Sequence, residues 1–81
     1  MNIYVGNLSA NTTAWQVRKA FEMYGKVDTI TLHPKPVSSE AFSFCFVEMP
    51  FENQAALAID KLNGSSLGGK VISAKASGVN T

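Results

Sequence analysis

The chain has one cysteine, one arginine, three prolines and no excess of charge of either sign. Each scarcity removes a class of protein. Cys45 alone makes no internal disulfide, and a single thiol lacks the paired sulfurs, typically C-x-x-C, of a metal carrier. A reduced, cytoplasmic setting is therefore expected. The one arginine, Arg18, falls inside a helical pattern, so no arginine-bearing loop cradles an anionic substrate. No enzymatic activity, cofactor or metal is expected. Seven Lys and Arg against six Asp and Glu leave a net charge of +1, which predicts only modest attraction to phosphates. No apolar run reaches transmembrane length, and no basic segment followed by an apolar stretch opens the chain. With 81 residues, 46% of them hydrophobic and 16% charged, the composition is that of one small globular domain.

Against this background two segments stand out: Ile3-Tyr4-Val5-Gly6-Asn7-Leu8 and Phe42-Ser43-Phe44-Cys45-Phe46-Val47-Glu48-Met49. In the second, phenylalanine occupies every other position. A strand sends successive side chains to opposite faces, so Phe42, Phe44 and Phe46 share one face and Cys45, Val47 and Met49 the other. Apolar groups on both faces are ordinary only where both faces are covered. So short a chain covers one. A row of aromatic rings is therefore expected to stay open, where it has something to stack on.

The remaining pattern alternates strand and helix. Ile3 to Gly6 reads as a strand, and Asn7 to Asn11 as a turn. Thr13 with Gln16 three residues on forms a capping box, and Val17, Ala20, Phe21 and Tyr24 then repeat at helical spacing. Gly25 is expected to cap that helix in the left-handed conformation. Val27 to His33 reads as the second strand, with Ile30 and Leu32 on its inner face. Pro34 and Pro36 begin a loop to about Glu40. A helix from Phe51 or Glu52 to Leu62 buries Ala55, Ala58, Ile59 and Leu62. Asn63-Gly64 stops it, Gly68-Gly69 makes a turn, and Lys70 to Ala76 is the last strand, with Ile72 and Ala74 inward and Lys75 outward.

The order β-α-β-β-α-β predicts an α+β fold, the ferredoxin-like two-layer sandwich. In it a four-stranded antiparallel sheet carries two helices on one face. The first and third strands lie side by side at its centre. Tyr4 therefore joins the phenylalanine row on the open face.

These segments resemble the two signatures of the RNA-recognition motif family, and the resemblance runs from Asn2 to about Ala76. Ile3 to Leu8 is similar to the hexapeptide signature. Phe42 to Met49 falls at the octapeptide signature, K/R-G-F/Y-G/A-F-V-x-F/Y, and matches it at Phe44, Phe46 and Val47. Phe42 stands where the family has a basic residue, Ser43 replaces the glycine and Met49 the closing aromatic. Phe21, Tyr24-Gly25 and the stretch Ala58 to Gly64 are family-like as well. The short format, with Met1 two residues before the first signature, is similar to bacterial members with one such domain.

The resemblance implies a domain over residues 1–76, a disordered tail over 77–81, and single-stranded RNA bound across the sheet. Tyr4 and Phe46 would each stack one base and Phe44 would meet the sugars between them. Asn7 in the hexapeptide, His33 at the end of the second strand and Lys75 complete the implied RNA-contacting set. His33 is read first as an ordinary exposed strand end. Phe42 adds a fourth ring, or packs against the proline loop or a partner. Single-stranded DNA is a second candidate ligand, and a monomer is expected. The rival class is a domain of the same fold whose apolar sheet face docks a protein, favoured by Phe42 and the low charge. Trp15, off the apolar stripe of the first helix, is a surface residue or a protein-docking anchor on the helical side.

Overall fold

Thr13 opens the first helix as its residue type and spacing predict. Its Oγ1 accepts the Gln16 N–H at 3.3 Å, and the Gln16 Oε1 accepts the Thr13 N–H at 3.0 Å. The pair satisfies two of the donors that a helix start leaves open. The computed structural model describes residues 1–9, 12–33 and 43–77. Its elements run β1 (Asn2–Leu8), α1 (Ala14–Glu22), β2 (Thr29–His33), β3 (Ser43–Glu48) and α2 (Glu52–Leu62). Three short strands follow: β4 (Ser66–Leu67), β5 (Lys70–Val71) and β6 (Ser73–Ala76).

The main sheet has four strands in the order β2-β3-β1-β6, all pairs antiparallel. Its inner face supplies Ile3, Val5, Cys45, Val47 and Ala74 to one core cluster. Val17 and Phe21 of α1 and Ala55, Ala58 and Leu62 of α2 complete that cluster. Both helices thus cover the same side of the sheet, and the other side carries no helix. Ile30, Leu32 and Ile59 pack against the cluster while remaining partly exposed. This is the two-layer α+β sandwich that the element order predicts.

Four local readings change. β1 runs on to Leu8, because Asn7 adopts a left-handed φ of 62° and shifts the β1–β3 register between Val5 and Leu8. Such a bulge advances the alternation by one residue, which is how Leu8 turns inward and is fully buried. The second strand starts at Thr29; Val27 and Asp28 lead into it, with the Asp28 N–H donating to the Glu48 carbonyl at 2.8 Å. The last strand is two strands. Gly68 and Gly69, at φ 62° and 86°, make a two-residue turn that pairs Ser66–Leu67 with Lys70–Val71. Ile72 breaks from that hairpin into the core, and β6 then joins the main sheet.

Gly25 has no positive φ, and Met23 is the C-cap of α1. The place needs glycine for a different reason: a Cβ there would collide with the Gln54 side chain, whose Oε1 accepts the Lys26 N–H at 2.9 Å. Asn63, at the end of α2, turns its Oδ1 to the Ala74 N–H at 3.0 Å. The proline loop from Pro34, the residues Ala41 and Phe42, and the tail beyond Ser77 lie outside the described residues.

Burial pushes the Cys45 thiol up to about 12. Because the thiolate is the reactive form, native protein at pH 8 is expected to resist Ellman's reagent, while urea-unfolded protein reacts at once. Rapid labelling of the native protein would show that the inner face of β3 is open to solvent.

Candidate nucleic-acid interface

β3 is the element from which the open face is built. With Cys45 and Val47 fully buried beneath the helices, Phe44, Phe46 and Glu48 project the other way. β1 lies beside it with Tyr4 directly opposite Phe46. The three rings meet. Tyr4 and Phe44 are 5.7 Å apart between centroids and inclined by 26°, a stacked pair. Phe46 stands edge-on to both, at 5.7 Å and 67° from Tyr4 and at 6.0 Å and 89° from Phe44. All three rings are partly exposed. Pairs in these geometries gain roughly 0.5–1.5 kcal/mol each beyond their burial, so the group is a pre-set platform.

Lys75 is the cation of this platform. It lies opposite Tyr4 on β6, and its Nζ sits 5.4 Å from the Tyr4 ring centroid. One register row across the sheet therefore reads Lys75, Tyr4, Phe46, Thr31. Asn7 is placed differently. Its Nδ2 donates to the Val71 carbonyl at 2.5 Å, so the amide ties the bulged end of β1 to the β4–β5 hairpin. His33 pairs with Phe44 across β2 and β3, and its description stops at the backbone. Phe42 lies outside the described residues. Three predicted residues and Lys75 are thus brought together, while Asn7 is engaged at one end of the sheet.

Gly6 is a residue that motif reasoning passes over. It sits two positions from Tyr4, on the same face, and a Cβ there would come within 2.8 Å of Tyr4 Cε1 and 3.2 Å of Ser73 Oγ. The Tyr4 ring lies across the space that any side chain would fill. The two-residue period of β1 was the signal that could have found it.

On the opposite side of the molecule Trp15 is 66% exposed, with Lys19 Nζ 5.6 Å from its ring centroid. Arg18 is committed to structure: its guanidinium donates to the Val27 carbonyl at 3.3 Å and pairs with Glu22 at 3.5 Å.

A helix-backed sheet of this order, with two central strands presenting aromatic rings, defines a class of small domains with a ligand-accepting sheet. The chain belongs to the RNA recognition motif family, whose model matches residues 3–73. Among curated proteins it is similar to the poly(U)-binding splicing factor hfp of Drosophila melanogaster, 31% identical over 70 residues. That match covers 86% of this chain and 11% of hfp. It is also 36% identical over 70 residues to nuclear cap-binding protein subunit 2 of Xenopus tropicalis, covering 86% of this chain and 46% of that protein. The chain therefore spans less than half the length of either relative. Of solved structures, RNA binding protein PG1 matches with a TM-score of 0.86 at 30% identity, over 100% of this chain and 98% of that one. The first two such domains of yeast Pub1 match with a TM-score of 0.90 at 21% identity, over 100% of this chain and 48% of that one, a likeness of fold alone. The curated relatives named here are eukaryotic, and the narrower resemblance to bacterial members finds no support in them.

Replacing Gly6 by alanine is expected to lift the Tyr4 ring from the sheet and break its stacking on Phe44. The ring is partly exposed and can swing outward, so the stability cost stays below about 1 kcal/mol, while contacts between Tyr4 and Phe44 ring protons disappear from NOE spectra. Unchanged ring contacts in the variant would show that Gly6 does not set the platform.

Proposed function

We propose that this domain binds single-stranded RNA, without catalysis, by laying bases on the open face of its sheet. The observation that carries this is the contact of Tyr4, Phe44 and Phe46 on the face opposite both helices. An aromatic face accepts any base, and each stacked base is worth roughly 1–3 kcal/mol. Family membership supports the reading, as do relatives whose names include poly(U) and cap binding. Tyr4 and Phe46 take one base each, and Phe44 meets the sugars between them. Lys75 is placed to reach a phosphate beside the base on Tyr4. Stacking does not read the sugar, so single-stranded DNA is a weaker ligand of the same face. The domain acts as a monomer.

A second reading, an apolar protein surface docked on the same rings, draws on the net charge of only +1. One titration separates the two. Short single-stranded RNA added to labelled protein is expected to shift amides of β1 and β3. The substitutions Tyr4→Ala and Phe46→Ala are each expected to lose roughly 1–3 kcal/mol of binding. Absence of any response up to millimolar RNA sinks the RNA reading and leaves the protein-docking one.

The weak charge sets a further expectation. With two or three phosphate contacts, log K falls against log salt with a slope of about −1.4 to −2. A slope steeper than about −4 would reveal a basic surface that the described residues do not contain.

A further inference from the structure

Glu48 is the one acidic side chain that the strands turn to the open face among the described residues. It lies on β3 two residues beyond Phe46, about 7 Å along the strand and on the same side as the ring. Its register partners are Asn2 on β1 and Thr29 on β2, both polar. The Glu48 side chain is exposed, and among the described residues it makes no hydrogen bond or ion pair. A base is wider than a phenyl ring. One lying on Phe46 therefore extends its edge toward this carboxylate.

We propose that Glu48 makes the platform select guanine and disfavour uracil at the base stacked on Phe46. This rests on the RNA reading above and adds to it the identity of one base. A carboxylate has acceptors only. The pairing edge of guanine offers two adjacent donors, N1–H and the N2 amino group, which match the two carboxylate oxygens as a charge-assisted, two-bond contact. Cytosine and adenine offer one amino donor beside a ring nitrogen that repels the second oxygen. Uracil offers a single N3–H flanked by two carbonyl oxygens, both repelled by the carboxylate. Thr29 adds selectivity of the same sign, since its hydroxyl is a donor within the same register row for guanine O6. A face with little positive charge thereby gains discrimination from a negative one.

The test compares two short RNAs, UUGGU and UUUUU, on the parent protein and on Glu48→Gln, with sheet-face amide shifts as the readout. The parent is expected to bind UUGGU roughly tenfold tighter than UUUUU, and Glu48→Gln to bring the two within about twofold, because an amide can pair with uracil as well. Replacing guanosine by inosine, which lacks the N2 amino group, weakens binding to the parent and leaves the variant nearly unchanged. Equal binding of both RNAs by the parent, with normal sheet-face shifts, overturns the role of Glu48 while the RNA reading stands. A preference for guanine that survives unchanged in Glu48→Gln overturns it too. Failure of both RNAs to bind the parent overturns the RNA reading and this inference together.

Discussion

β3 lies between β1 and β2 with its alternation fully committed, because Cys45 and Val47 have no exposed surface left and the helices close over them. The period of two then dictates that Phe44, Phe46 and Glu48 face outward. A slip of one residue would expose a thiol and a valine and force two phenyl rings and a carboxylate under the helices. Burial on one face thus fixes the geometry of the other. Register with β1 carries the same constraint sideways, since Tyr4 falls opposite Phe46 only while Ile3 and Val5 stay in the core.

The site this produces is rich in rings and poor in cations. Lys75 rests over Tyr4, Arg18 is spent on the loop before β2, and Lys19 lies against Trp15 on the helical side. Binding that leans on phosphates weakens quickly as salt rises, whereas stacking does not depend on ionic strength in that way. The platform therefore belongs to the second regime.

The layers of this fold were legible because its strands and helices keep their periods. Val17 and Phe21 repeat at helical spacing, Phe44 and Phe46 at strand spacing, and the order of elements follows from where one period yields to the other. The aromatic triad was legible for the same reason, since parity alone assigns Tyr4 and the phenylalanines to one face. What escaped were departures from period. Asn7 extends a strand by adopting a left-handed φ, so its turn-forming character signalled a bulge and not an end. Gly25 looked like a helix cap, but its role is to make room for Gln54, a residue 29 positions away that no local pattern connects to it. The break at Ile72 is a tertiary event as well, because a single residue leaves one sheet for the core before the chain enters another.

The Asn63 side chain has a consequence for how copies of this domain meet. By accepting the Ala74 N–H, it occupies the outward side of β6 at mid-strand, and the Ile72 N–H is taken in the same way by the Ser65 carbonyl at 2.9 Å. A foreign strand cannot pair along that margin without displacing both. The opposite margin, β2, is not capped in this way among the described residues. Continuous edge-to-edge growth of a sheet requires two free margins per molecule. A domain closed on one side ends any such chain at a pair, so it can be abundant in the cell without seeding fibres through its sheet.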